Sequence, residues 1–409
     1  MNKRAIILFF FLIVFFCSCQ SEKNNAVNVI DQAVEQKTEM SVYESQNESP
    51  TIISDTKKHE HIGKIAENCY FITEQVTSSE IYAIHDNINI SAIDVDKDNP
   101  YYTVFEGALY DKEMKTLLLV PPSFECETFL IPASVEMIGD WAFDRCQKIK
   151  TIIMESDVKE IGSFAFYKCK ALREIRFSER LEYVGSHAFE GCEMLEEILL
   201  PDSVLPEGHN YMTTWANNVF DRCSSLKKVR IPFDNVLAGR ENLSGRYELE
   251  NAFCGCDSLE EFVISDNANH VVMYNGALSS SSLDIICRVA PKQSATTFTI
   301  PSQTAVLGSH AFENCTNLKE LIIEPYEEAE EHPIIQMVMG EDTWKRSMCI
   351  DGRTTIKNCH DLEKIVIPSD VEIVGITVQD FPKLVIYAKR ESSAAKYAEK
   401  NMIPIQYTE

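Results

Sequence analysis

Four groups of residues in this 409-residue sequence have types and spacings that could do chemistry. Ser186-His187 and Ser309-His310 each set a hydroxyl beside an imidazole, the raw material of nucleophilic catalysis. Asp94, Asp96 and Asp98 alternate as the first ligands of a calcium loop do. His59-Glu60-His61 brackets a carboxylate with two imidazoles, and fourteen cysteines could supply disulfides, metal thiolates or reactive thiols. Which of these chemistries survives depends on the elements that hold the residues.

Those elements repeat. AFDRCQKIKTIIM (Ala142 to Met154), AFYKCKALREIRF (Ala165 to Phe177) and AFEGCEMLEEILL (Ala188 to Leu200) superpose at a spacing of 23. Phe143, Phe166 and Phe189 share a column, as do Cys146, Cys169 and Cys192, and Gly139, Gly162 and Gly185. So many coincident columns mark stacked units, each unable to bury its apolar face until a neighbour covers it. The period continues to Phe220 and Phe253 with insertions of eight and ten residues, which belong in loops.

A second, larger repeat overlies the first. VFEGAL (Val104 to Leu109) recurs as MYNGAL (Met273 to Leu278), an offset of 169 that also carries Pro122 onto Pro291, Phe143 onto Phe312 and Cys146 onto Cys315. Alternating β-rich residues around a glycine predict a hairpin inserted in each copy. Extended backwards, the offset starts the array near Tyr82.

The unit resembles the BspA-like leucine-rich repeat family, whose pattern reads roughly C-x-x-L-x-x-I-x-I-P-x-x-V-x-x-I-G-x-x-A-F. CSSLKKVRIP (Cys223 to Pro232), FLIPASVEMIGDWAF (Phe129 to Phe143) and CHDLEKIVIPSDVEIVG (Cys359 to Gly375) carry the resemblance. It covers Tyr82 to Tyr387, with Asn87 and Ile356 in place of the usual cysteine and phenylalanine and at most a degraded coil between Glu327 and Thr355. The fold expected is a leucine-rich repeat solenoid: one short parallel strand per coil, irregular or short helical connections, two inserted hairpins and a C-terminal helical cap. Dividing its length by the period gives roughly 13 coils, stacked about 4.8 Å apart. A final strand, then a helix from about Ser392 to Asn401, closes the open end.

The register removes most of the chemistry. Both Ser-His pairs fill the two variable places of G-x-x-A-F, where other coils carry Asp140-Trp141 and Ser163-Phe164, and adjacent residues are poorly placed as nucleophile and base. The twelfth position from Asp94 is Phe105 and the sixth is Asn99 rather than glycine, so a solvated turn replaces the calcium reading. His59-Glu60-His61 lacks the H-E-x-x-H spacing. Seven cysteines (146, 169, 192, 223, 256, 315 and 359) hold one repeat position. Equivalent side chains in stacked coils run parallel rather than converging, so buried free thiols are expected instead of disulfides. Cys254, beside Cys256, stands outside that column and its pairing is open. With no two-pair cysteine motif, nucleophile elbow, phosphate loop or dinucleotide fingerprint, the expectation is no metal, no cofactor and no enzymatic activity.

What remains is an address and a surface for contact. Lys3 and Arg4 precede twelve apolar residues, Ala5 to Phe16, too few to span a bilayer. The segment ends in Phe16-Cys17-Ser18-Cys19, which resembles a bacterial lipobox; that resemblance implies cleavage after residue 18 and lipidation of Cys19. Residues 19–61 then read as the lipidated cysteine and a tether, 62–388 as the solenoid with its N-terminal cap and 389–409 as the C-terminal cap. A formal charge of −25 excludes nucleic acid as an easy partner. The insertions Pro206 to Asn217, Phe233 to Glu250 and Glu324 to Asp351 carry Tyr211, Trp215, Tyr247, Tyr326 and Trp344, aromatic side chains of the kind that anchor interfaces. The function expected is a lipid-anchored cell-surface module that binds other proteins, an adhesin by resemblance to the BspA-like family. An envelope-scaffolding or carbohydrate-binding lipoprotein is the alternative. The location expected is the bacterial outer membrane, on its cell-surface or its periplasmic face.

Overall fold

A computed structural model describes residues 62–409 apart from 67, 74–80, 82–83, 85–86, 155–156, 205–217, 232–252, 266–270, 284, 305, 309, 326–347 and 370. The chain divides into two units, Met1–Lys58 and His59–Glu409, and the second carries the fold. It is a solenoid of about 11 turns with little helix. The count falls below length over period because the insertions and two hairpins consume residues without adding turns.

Two ladders of strands run through it. L-x-x-I-x-I segments form the first: Thr128–Ile131, Thr151–Met154 and Glu174–Arg176 pair in parallel, Phe129 opposite Ile152 and Ile152 opposite Ile175. Glu197–Leu199, Lys228–Ile231 and Glu261–Ile264 continue the pattern, as do Thr297–Ile300, Glu320–Ile323, Lys364–Ile367 and Val385–Lys389. Alternation puts Ile152, Ile175, Ile198 and Val229 inside and every second residue outside. The second ladder uses V-x-x-I segments, with Met137–Ile138, Glu160–Ile161 and Tyr183–Val184 in parallel register.

The glycine that follows this second strand is required by the stacking. A Cβ on Gly185 would lie 2.5 Å from Ser163 N and 2.6 Å from the Gly162 carbonyl carbon, both backbone of the preceding coil. The phenylalanine column forms an internal stack: Phe143–Phe166, Phe166–Phe189, Phe189–Phe220 and Phe220–Phe253 centroids lie 4.9, 5.1, 5.8 and 5.6 Å apart. The cysteine column caps backbone. The thiols of Cys169, Cys192, Cys223 and Cys256 donate to the carbonyls of Phe143, Phe166, Phe189 and Phe220 at 2.9–3.2 Å, each reaching the coil before. All seven column cysteines are buried free thiols, and burial pushes the thiols of Cys192 and Cys223 well up.

Both hairpins form where the 169-residue offset puts them. Tyr102–Phe105 pairs with Ala108–Asp111 and Val271–Tyr274 with Ala277–Ser280, around Glu106-Gly107 and Asn275-Gly276, whose φ values are all positive. Their third strands, Thr116–Leu119 and Ile285–Val289, join the second ladder through parallel pairing to Met137–Ile138 and Val306–Leu307.

Three sequence expectations need correction. The ladder begins before Tyr82, since Cys69–Ile72 pairs in parallel with Ala92–Val95, itself 23 residues on, and Ile62–Ala66 adds an antiparallel strand. The insertion assigned to Glu324 to Asp351 is shorter: Met348–Asp351 is a regular strand opposite Val371–Val374, so a true coil resumes there with Ile356 in the phenylalanine place. Its isoleucine and its missing alanine hide it from the motif. The helix Ser393–Lys400, capped by Ser392 Oγ on Ala395 N, buries Ala394, Ala395 and Ala398, but it does not end the sheet. Ile405–Thr408 adds one more parallel strand beyond Val385–Lys389. Among the described residues no helix is long and apolar enough to cross a membrane.

Candidate interaction surface

The outward positions of the first ladder make two runs, one on each of two three-stranded sheets. Leu130 lies opposite Ile153 and Ile153 opposite Arg176; Leu199 lies opposite Arg230 and Arg230 opposite Val263. Leu130 and Leu199 are 48% and 47% exposed, unusual for leucine in a strand. The neighbouring column is polar, with Glu174 paired to Arg176 at 2.8 Å and Lys228 to Glu261 at 3.1 Å. Arg230 reaches Asp202 at 2.6 Å. Aliphatic side chains beside guanidinium groups, rimmed by charge, are what a protein interface presents.

The turn face is built differently. In three G-x-x-A-F-x-x-C segments the residue before alanine sits at positive φ, between 56° and 59° at Trp141, Phe164 and His187, and Asn218 before Val219 does the same at 56°. Backbone bonds between coils hold that conformation, Phe143 N donating to Ala165 O at 2.7 Å and Phe166 N to Ala188 O at 2.8 Å. The side chains therefore leave in register and stack. Trp141 lies on Phe164 at 4.1 Å and Phe164 on His187 at 4.5 Å, both within 3° of parallel, with Tyr167 edge-on to Trp141 and Phe164. Both faces of Phe164 are covered, so this ring turns its edge rather than a face to solvent. His187 ends the stack and meets Glu190 Oε2 at 2.6 Å; Ser186, its neighbour, accepts a backbone bond from Phe164, so this pair serves the coil. Ser309 lies outside the described residues.

Beyond His187 the aromatic residues give way to ionisable ones. The place after phenylalanine passes from Tyr167 to Glu190, Asp221, Cys254, Glu313 and Lys357. Burial, reinforced by the Glu190 charge, pushes the Asp221 carboxyl up to about 6. A carboxyl raised by folding holds its proton more tightly in the folded state, so it erodes stability as pH rises from about 4 through 6. Asp221→Asn is expected to flatten that segment of the stability profile and to stabilise the protein at pH 7 by about 1–2 kcal/mol. Urea denaturation at pH 4 and pH 7 reads both effects; an unchanged profile would refute the assignment.

Past the second hairpin, Glu313 is almost fully buried, with Oε1 accepting from Lys357 Nζ at 2.7 Å and Oε2 3.2 Å from His310 Nδ1. Burial raises its carboxyl, but His310 and Lys357 outweigh that and hold it down near 2. Cys254 Sγ donates to Glu313 Oε2 at 3.7 Å; burial and the Glu313 charge push this thiol up to about 11. Arg288 is wholly buried behind them, one guanidinium nitrogen donating to His310 O, where the first hairpin carries Leu119. The signal in the sequence was a set of ionisable residues in one repeat column, together with arginine for leucine at the 169-residue offset.

Other sequence candidates resolve locally. Asp94 Oδ1 accepts from Val95 N and Asp96 Oδ1 from Asp98 N, both at 2.9 Å, and Asn99 Nδ2 reaches Thr73 O at 2.7 Å: a side-chain-closed turn after a strand. Tyr211, Trp215, Tyr247, Tyr326 and Trp344, like Cys19 and His59-Glu60-His61, lie outside the described residues.

The repeat has a known pattern. Residues 123–239 and 290–378 match the BspA type leucine rich repeat region in six copies, half of the chain. The protein belongs to the BspA-type leucine-rich repeat family. Solved leucine-rich repeat structures match parts of the chain. A leucine-rich repeat protein of Eubacterium ventriosum is 20% identical with a TM-score of 0.40, over 64% of this chain and 61% of its own, so under two thirds of that protein is spanned. A leucine rich cell surface protein of Faecalibacterium prausnitzii is 17% identical with a TM-score of 0.39, over 89% of this chain and 96% of its own. The pneumococcal vaccine antigen PcpA is 12% identical with a TM-score of 0.34, over 85% and 96%. No curated protein matches the chain. The BspA-type coil accounts for both ladders, the phenylalanine stack and the cysteine caps; its variable places are what this chain has individualised.

Proposed function

We propose that this BspA-type protein is a lipid-anchored module displayed on the bacterial cell surface, where it binds proteins of a host or of neighbouring cells as an adhesin. The observation that carries the reading is the strand face, where Leu130 and Ile153 stand in register with Arg176, and Leu199 and Val263 with Arg230. Leucine-rich repeat proteins generally bind other proteins, and a regular array offers an extended surface without a catalytic cleft. The Cys19 lipobox supplies the anchor and the acidic charge sets a preference for basic partners.

The test has two parts. In protease shaving of intact cells the array is expected to be cleaved while a periplasmic marker survives, and protection of the array would overturn surface display. In binding to immobilised matrix proteins and whole cells, Leu130→Glu with Leu199→Glu is expected to weaken saturable binding at least tenfold. Both leucines are already about half exposed, so the fold is expected to persist, as circular dichroism checks. Binding indifferent to the pair would overturn the assignment of the face.

A further inference from the structure

The geometry points to a divalent metal site of the Zn²⁺ class at the second hairpin junction, with Cys254 Sγ, His310 Nδ1 and Glu313 Oε2 as its protein ligands. The three donor atoms lie within 4.8 Å of one another although 56 residues separate Cys254 from His310. The inserted hairpin leaves the coil of Cys254 beside the coil of His310 and Glu313, and Asn314 to Asp257 bonds the two coils directly.

The two spacings to Glu313 Oε2 are close to those of one coordination sphere. A tetrahedral Zn²⁺ with about 2.3 Å to sulfur and about 2.0 Å to nitrogen and oxygen sets N and O about 3.3 Å apart and S and O about 3.5 Å apart. Here His310 Nδ1 is 3.2 Å and Cys254 Sγ 3.7 Å from Glu313 Oε2. Moreover, His310 Nδ1 is buried and makes no aligned hydrogen bond, even at that short distance from a carboxylate. Two groups directed at a common point, rather than at each other, have this relation.

The surroundings fit a ligand set. Lys357 occupies Glu313 Oε1 at 2.7 Å, which fixes the carboxylate and leaves Oε2 for the metal, as outer partners of ligating carboxylates do. Arg288 anchors the main chain of His310. Burial and the Glu313 charge push the Cys254 thiol up, Asp221 adding to them and Lys357 and Arg288 opposing, so a cation binding there displaces the thiol proton. Thiolate and carboxylate together neutralise a divalent ion, and Asp257 and Asp221 offset the two cations. Cys254 and His310 are partly exposed residues around the buried Nδ1 and Oε2 atoms, and three protein ligands leave the fourth tetrahedral position to water.

The test is Co²⁺ titration of the intact, chelator-stripped protein, read in the thiolate-to-cobalt charge-transfer band and the visible bands of tetrahedral cobalt, followed by displacement with Zn²⁺. One equivalent is expected to bind. Cys254→Ser is expected to abolish the charge-transfer band, and His310→Gln and Glu313→Gln to weaken binding at least tenfold each. Cys349→Ser, which removes another partly exposed thiol, is expected to leave affinity within twofold. Circular dichroism and Cys254→Ser, the mildest change, separate a lost ligand from a lost fold. Absence of the charge-transfer band at saturation, or its survival in Cys254→Ser, would overturn the proposal.

Discussion

Phe189→Ala is expected to lower the stability of the array by about 3–5 kcal/mol, the range for removing a large aromatic side chain from a rigid core. Phe189 is fully buried, stacked on Phe166 at 5.1 Å and 5° and on Phe220 at 5.8 Å and 12°, with the edge of Phe177 at 6.1 Å. The cavity cannot collapse, because two strand ladders and the turn-face hydrogen bonds fix the spacing of the coils on either side. The position is also central: a repeat array is stabilised by nearest-neighbour interfaces, and this ring serves two of them. Urea unfolding followed by far-ultraviolet circular dichroism measures the loss. Phe189→Leu, which keeps most of the volume, is expected to cost under about 1.5 kcal/mol. A loss below about 1 kcal/mol for the alanine variant would mean that the ladders, not the stack, hold the coils together.

Gly185→Ala is expected to cost about 3 kcal/mol, the upper end of what overpacking a core incurs. The added methyl would meet Ser163 N at 2.5 Å and the Gly162 carbonyl carbon at 2.6 Å. Neither is a side chain that can rotate away, and Gly185 N is itself bonded to Ile161 O at 2.7 Å, so relief requires the two coils to part. Gly191→Ala is the informative control. Gly191 has φ +74° and its Cβ would press only on Lys168 Cγ at 3.0 Å, with Lys168 Cα at an ordinary 3.5 Å, so it bears the strain of left-handed backbone, about 1–2 kcal/mol, while the lysine moves aside. If the two substitutions cost the same, close stacking is not what selects glycine at position 185.

Much of the fold was legible because a repeat states its own register. The 23-residue columns of Phe143, Cys146 and Gly139 each mark a physical demand made once per coil: a ring to stack, a thiol to cap a carbonyl, a place where backbones touch. The second hairpin was legible for the same reason, since the 169-residue offset carried Glu106-Gly107 onto Asn275-Gly276. Legibility failed where a coil departs from the pattern. Met348–Asp351 and Cys69–Ile72 are regular strands whose neighbours lack the alanine, phenylalanine or cysteine that would announce them. The closing strand Ile405–Thr408 follows a helix, and only packing on Val385–Lys389 makes it the last rung.

The candidate surfaces divide along the same line. Local sequence determined that Leu130, Leu199 and Arg230 point outward, because side-chain alternation on a strand is fixed by the pleat. It also determined that Ser186-His187 is not a catalytic pair, because its place in the coil is fixed by G-x-x-A-F. Tertiary structure alone decided that Trp141, Phe164 and His187 stack face to face, since that depends on left-handed backbone held by the next coil. It alone brought Cys254 to Glu313 across 59 residues, with Arg288 buried behind them. A period shows which residues share a column, but an inserted hairpin changes which columns meet, and proximity across it is a property of the folded chain.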